Sequence, residues 1–326
     1  MVAVTGANGL LGKYIIERLL QDQLRVIAIT RQPDDKKKIS SDLITERYAD
    51  ITDPVALTEA LQGASCVIHT AAYVSLNPNA SKKMIEINVN GTANVVNICL
   101  HLNIPRLIHI SSVAALGKQK GITTITEESK WIAGDFNTDY AESKHMAELE
   151  IYRGLEEGLS IAIVNPSVIL APADWNRSSS KLFKFVWDEK PFYTEGQFNY
   201  VDARDVSDLI FRLYKSRSSG QKYIASSGSV SFIDFFKKVA QRFNKKAPSI
   251  NINPFLIRVF AFLESIRCRI TGSEPLMDSK ALKNNREFFL YSNEKARNEL
   301  KVTFRPLEET LDWCCSEYLQ KITTNK

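Results

Sequence analysis

Tyr140 and Lys144 stand four residues apart in the run Tyr140-Ala141-Glu142-Ser143-Lys144, and on a helix that spacing puts both side chains on one face. A phenol titrates near ~10 and exchanges protons poorly at neutral pH. A neighbouring ammonium favours the phenolate and lowers that value, so the pair has the makings of an acid/base for a carbonyl oxygen. Upstream, Ser111 and Ser112 close the apolar run Leu107-Ile108-His109-Ile110, and the Ser112 hydroxyl is placed to hold the same oxygen. The tyrosine-to-lysine spacing carries little weight alone. It recurs at Tyr291 and Lys295, with no strand-end serine before it, and that second copy reads as the start of an ordinary helix.

A different chemistry is written at the amino terminus. The stretch Thr5-Gly6-Ala7-Asn8-Gly9-Leu10-Leu11-Gly12 follows the apolar run Val2-Ala3-Val4 and opens a segment, Leu10 to Leu20, whose apolar residues recur at helical spacing. A strand that turns through glycines into a helix aims free backbone N–H groups and the positive end of the helix dipole at one point, which suits a phosphate. Gly6, Gly9 and Gly12 fit the tight turn, the close approach of a pyrophosphate and the close packing of helix on strand; Asn8, Leu10 and Leu11 complete the cradle. After the second strand, where an acidic side chain would accept bonds from an adenosine ribose, stands Arg31. A guanidinium pairs instead with a 2′-phosphate, which favours NADP(H) and leaves NAD(H) as the alternative. Lys36 to Lys38 are close enough to assist, with a solvated loop the leading account for most of them. Asp50, followed by Ile51, either meets the adenine edge or forms a surface turn.

These groups need elements to hold them. Strands are expected at Val2–Val4, Arg25–Thr30, Arg47–Ala49, Cys66–His69, Leu107–Ile110 and Ile161–Val164. Helices are expected between them, at Leu10–Leu20, Pro54–Leu61, Ser81–Leu102 and Asp139–Glu157. The alternation predicts an α/β fold with a parallel sheet covered on both faces. It breaks after Asn165, where residues 171–200 are rich in aromatics, with pocket lining and core packing equally open to them. A helix at Ala203–Lys215 and a strand near Tyr223-Ile224 return to the sheet; from Ser231 the chain is mostly helical, ending in a helix at about Pro306–Gln320. The expected division is residues 1–170, plus about 199–226, for the cofactor, and about 171–198 with 227–326 for the substrate.

Composition narrows the function. With 44% hydrophobic and 24% charged residues over 326 positions, the chain reads as an ordinary soluble globular protein. A net charge of +5 is too small to make a nucleic-acid surface. Cys66, Cys99, Cys268, Cys314 and Cys315 form neither a disulfide framework nor a metal-binding spacing, so no metal is expected. His69, His101, His109 and His145 form no cluster and read as packing or surface residues. With a core strand at the very start, a cytoplasmic setting is expected. The apolar segment Phe255 to Ile270 carries Arg258, Glu264, Arg267 and Arg269 and cannot span a bilayer. Core packing is its leading role, with a pocket cap, a homodimer seam or a membrane-resting face as alternatives.

The ordered set of the glycine stretch, His69-Thr70-Ala71-Ala72, Asn88-Val89-Asn90-Gly91-Thr92, Ser111-Ser112, Tyr140 to Lys144 and Asn165-Pro166-Ser167 resembles the extended short-chain dehydrogenase/reductases, over about the first 215 residues. The resemblance implies a doubly wound Rossmann fold with a smaller, mostly helical carboxyl-terminal substrate domain. It also implies a catalytic Ser112-Tyr140-Lys144 set, with Lys144 bonding the nicotinamide ribose as well. Ala71 and Ala72 would lie along the cofactor, Asn88 would be structural or a minor contact, and Pro166, Ser167 and Val168 would contact the cofactor. Within the family, Ile29-Thr30-Arg31 and Asn165-Pro166-Ser167-Val168 look more like the dihydroflavonol reductase, cinnamoyl-CoA reductase and 3β-hydroxysteroid dehydrogenase branch than like the sugar-nucleotide epimerases. Ala171 departs from the glycine usual there, and Val113 to Gly117 lacks the tyrosine common in epimerases. The expected activity is carbonyl–alcohol interconversion on a small molecule. An NAD-dependent nucleotide-sugar epimerase is the second expectation, and a non-catalytic dinucleotide-binding regulator or scaffold the third.

Overall fold

The computed structural model describes residues 1–33, 41–75, 77–134, 137–175, 179–252 and 288–324. Lys36 to Lys38, Cys268 and the segment 255–270 lie outside the described residues.

Seven parallel strands form the central sheet: β1 (Val2–Thr5), β2 (Val26–Thr30), β3 (Ile44–Tyr48), β4 (Cys66–His69), β5 (Arg106–Ile110), β7 (Ser160–Pro166) and β11 (Gln221–Ala225). Their order is β11-β7-β5-β4-β1-β2-β3, so the chain winds outward from β1 in both directions, as in a Rossmann fold. The β-branched runs that announce β1, β2, β4 and β7 are buried on both faces. One face carries α1 (Leu10–Gln21) and α7 (Ala203–Lys215), with Ile15, Leu19, Val206, Leu209 and Leu213 packed on Val4, Ile108 and Val164. The other carries α2 (Pro54–Leu61), α4 (Gly91–His101) and α5 (Asp139–Glu156), with Leu57, Val95 and Ile151 packed on Ile27, Leu107 and Ile163.

Several elements differ from expectation. Strand β3 begins at Ile44 rather than Arg47, because an edge strand exposed at three of its five residues lacks the apolar run that locates a central one. The single helix expected over Ser81–Leu102 is α3 (Ser81–Met84), a π-helical turn (Ile85–Asn90) and α4. Tyr291 lies in a short strand, Leu290–Tyr291, ahead of the helix Glu294–Leu300, and Lys295 bonds Gln221 at 2.7 Å; the second tyrosine–lysine pair is therefore strand and helix, not one helix.

Outside the central sheet, β6 (Thr124–Ile125) pairs with Leu290–Tyr291 and β9 (Phe192–Tyr193) with Ile250–Asn251, and beyond β7 the chain forms a three-stranded sheet of β8 (Val168–Leu170), β10 (Gln197–Asp202) and β12 (Gly228–Ser231). Around it pack α6 (Ser180–Trp187), α8 (Phe232–Phe243) and the last helix, Leu307–Thr324. Much of the aromatic stretch is core here: Phe183, Phe198 and Tyr200 are buried with Phe235 and Tyr318, and Trp175 stacks on Tyr318 at 4.2 Å.

Candidate active site

The carboxyl ends of β1, β4, β5 and β7 lie side by side, and the residues singled out by the sequence gather there. At β1 the chain turns at Gly6, whose φ of +67° is the left-handed region, and the Gly9 N–H closes the turn on the Gly6 carbonyl at 2.9 Å. Helix α1 starts at Leu10 with no side-chain cap and no acidic residue in its first turn. The N–H groups of Asn8, Leu10 and Leu11 meet no acceptor among the described residues, and Asn8, Gly9 and Leu10 are half-buried. An uncapped, electropositive helix start with free donors fits a dinucleotide pyrophosphate.

Arg31 is exposed just past the end of β2 and pairs with no carboxylate among the described residues. Asp50 receives the Thr52 N–H at 2.9 Å and hydroxyl at 2.8 Å through one oxygen, leaving its other oxygen for a ligand. Ile51 is buried, its side chain against Gly91 and its carbonyl taken by Asn94 at 2.9 Å. Ala71 is half-buried with its N–H on the Thr5 hydroxyl at 3.3 Å, and Ala72 is exposed.

The π-helical turn directs the buried Asn88 amide to the Tyr73 backbone at both ends, 2.7 and 2.9 Å, and to the Ser143 hydroxyl at 3.0 Å. These bonds lock the loop after β4 to α5.

Helix α5 delivers Tyr140 and Lys144. Thr138 caps it by accepting the Ala141 N–H at 3.1 Å, a contact worth ~1 kcal/mol, which fixes the turn that carries Tyr140. The phenol is half-buried and faces the Ser112 side chain, which follows the end of β5. Ser112 is itself held by the Ala114 N–H at 3.1 Å. Burial drives the Tyr140 pKa above the usual value, and the Ser112 contact draws it back. The Lys144 ammonium, 2% exposed, donates to the Ile110 carbonyl at 2.8 Å, and burial pulls its pKa down to about 8 against the opposing pull of Glu148.

His69 and His109 lie in the sheet beneath. Burial and the Lys144 charge depress both, to about 3 for His69, so both rings are neutral. His145 stacks on Trp131 at 4.2 Å. Pro166 ends β7, Ser167 is buried with an unpartnered hydroxyl, and Val168 is exposed. Sequence reading missed Glu148, Asn165 as a side chain, and Lys222. The one available signal was that Glu148 continues the four-residue step from Tyr140 through Lys144.

Among the described residues no cluster of His, Cys, Asp or Glu could hold a metal, and no helix is long and apolar enough to cross a membrane. Cys66, Cys99, Cys314 and Cys315 are free and buried.

The chain is similar to known proteins over most of its length. It is 26% identical to sterol demethylase protein B of Methylococcus capsulatus, covering 80% of each chain. It is also 26% identical to a putative dihydroflavonol 4-reductase of Synechocystis, covering 94% of this chain and 91% of that one. The crystal structure of gox2253 superposes with a TM-score of 0.84 at 26% identity over 98% of both chains. Residues 2–225 match the family model described as the NAD dependent epimerase/dehydratase family. With seven parallel strands, a glycine turn into α1 and Tyr140 and Lys144 on α5, this chain belongs to the NAD dependent epimerase/dehydratase family.

Proposed function

We propose that the protein is an NADP(H)-dependent oxidoreductase that interconverts a carbonyl and an alcohol on a small molecule. The observation that carries this reading is the convergence of Ser112, just past the end of β5, with the Tyr140 phenol on α5, and the Lys144 ammonium buried one helical turn away on the Ile110 carbonyl. NADP(H) supplies and accepts the hydride; the glycine turn, Arg31, Asp50 and the strand-end segments at Ala71 and Pro166 to Val168 would hold it. Ser112 and Tyr140 together bind the substrate oxygen, and Tyr140 gives or takes its proton. Lys144 places a positive charge under the site and holds the nicotinamide ribose. Residues 171–198 and 227–326 form the substrate side. The likeness to a putative dihydroflavonol 4-reductase supports a reductase over the epimerase alternative. The test is NADPH consumption over a panel of ketones and aldehydes; a protein that retains its cofactor through purification and consumes none with any of them would refute the reading.

Two outcomes follow. Because burial pulls the Lys144 pKa down to about 8, below its ordinary value, its charge is complete at lower pH and is lost as pH rises through that value. The kcat/KM profile, which reports the free enzyme, therefore falls on an alkaline limb near there. A flat profile to pH 10, the ordinary lysine range (~10.4), would contradict this role. Arg31→Asp removes the cation facing the 2′-phosphate and supplies an acceptor for ribose hydroxyls. NADPH should bind more weakly by about tenfold or more, as for a lost charge-assisted bond, while NADH binding holds or tightens. Titration of both cofactors checks it, and unchanged affinities would remove Arg31 from the site.

A further inference from the structure

The face of α5 that bears Tyr140 and Lys144 carries a third ionisable side chain one turn further on. Glu148 is 1% exposed, and each oxygen of its carboxylate has a different partner. Oε1 accepts from Asn165 Nδ2 on β7 at 2.6 Å, and Oε2 accepts from Lys222 Nζ on the edge strand β11 at 3.0 Å. The same Asn165 amide also donates to the Ser112 carbonyl at 2.9 Å. One buried carboxylate thus connects to the backbone of Ser112 on one side and faces Lys144 along the helix on the other. Glu148 is buried and Lys222 half-buried, and an ion pair so withdrawn from water seldom adds stability over apolar residues of similar size, so its presence here calls for another account.

Resting on the reading of Ser112, Tyr140 and Lys144 above, we infer that Glu148 is a positioning residue: through Asn165 it fixes the strand end that presents Ser112, and its negative charge sustains the Lys144 ammonium, with Lys222 sharing that charge. The surroundings are consistent on every side. His69 on β4 and His109 on β5 face Lys144 and are neutral. On α5 itself Tyr140 sits in its neutral form, and His145 and Tyr152 border Glu148 from the same helix. Glu148 is the carboxylate whose charge opposes the effect of burial on Lys144.

The test separates charge from tether. Glu148→Gln keeps an oxygen acceptor for Asn165 and removes the charge, so the Lys144 titration, read by ¹⁵N NMR of the ammonium in the resting protein, should fall by about one pH unit. The alkaline limb of kcat/KM should fall with it. Lys222→Gln leaves the whole field of the carboxylate on Lys144 and should move the same titration upward. Asn165→Ala keeps the charge and cuts the tether: kcat should drop with the titration in place. Shifts of opposite sign from Glu148→Gln and Lys222→Gln are not what a general loosening of the fold produces. A Lys144 titration unmoved by either would overturn the inference, and if Glu148→Gln does not fold, the Lys222→Gln shift decides alone. The titration needs no turnover, so its failure is distinct from failure of the oxidoreductase reading, which rests on NADPH consumption and on Tyr140.

Discussion

Tyr140→Phe is expected to cut kcat by ~10²–10⁴-fold, the usual worth of a positioned proton donor, while NADPH still binds. The substitution removes one hydroxyl and little else. The ring keeps its place on α5, whose first turn is held by the Thr138 cap and not by the phenol. Ser112 keeps the Ala114 N–H at 3.1 Å, so the serine stays where it is. Lys144 is anchored to the Ile110 carbonyl and does not depend on Tyr140 for its position. What disappears is the group that moves a proton to or from the substrate oxygen. Steady-state turnover with the best carbonyl of the panel, set beside a direct NADPH titration, reads both halves. Turnover at the wild-type level would mean that another group carries the proton and that the Ser112–Tyr140 contact is structural. Loss of NADPH affinity in step with turnover would point to a damaged cofactor site instead.

The parts of the fold that could be read in advance are those whose physics is local. Val26 to Ile29 and Ile161 to Val164 are buried on both faces, so apolar, β-branched runs locate them with no knowledge of their neighbours. The glycine turn is legible for the same reason: a positive φ and a close backbone approach restrict the residue type at the position itself. The π-helical turn at Ile85–Asn90 was hidden because its residues suit an ordinary helix, and what widens the turn is the set of bonds Asn88 makes to Tyr73 and Ser143. The partnership of Glu148 with Lys222 was hidden more deeply. It depends on β11 joining the sheet beside β7, a pairing set by the order of strands and not by any local pattern. The behaviour of Lys144 stands between these cases. Its helical face was legible from a spacing of four, but its depression to about 8 and its bond to Ile110 come from burial, which only the assembled sheet and helix supply.

Gly12→Ala should abolish tight cofactor binding at a much smaller cost to folding. Gly12 is buried in the first turn of α1, and a Cβ there would lie 2.3 Å from the Gly6 carbonyl oxygen and 2.9 Å from that of Ala7. Both obstacles are backbone atoms, so no side chain can swing away to make room. Relief has to come from the turn itself, yet Gly6 is fixed by its positive φ, by the Gly9 N–H and by the packing of its α-carbon on Thr70 and Ala71. Pushing the turn outward misaligns the N–H groups of Asn8, Leu10 and Leu11 that would meet the pyrophosphate. Hydrogen bonds to a charged group contribute ~1.5–3 kcal/mol each, so losing two should weaken NADPH by about two orders of magnitude or more. Overpacking of this kind costs folding only ~1–3 kcal/mol, which an otherwise well-packed domain of this size tolerates. Calorimetric titration and thermal unfolding, measured on the same preparation, separate the two effects. Gly134→Ala is the matched control, because a Cβ at that position meets nothing within 4 Å and both quantities should stay at their wild-type values. A Gly12→Ala protein that binds NADPH as tightly as the parent would show that the turn does not hold the diphosphate.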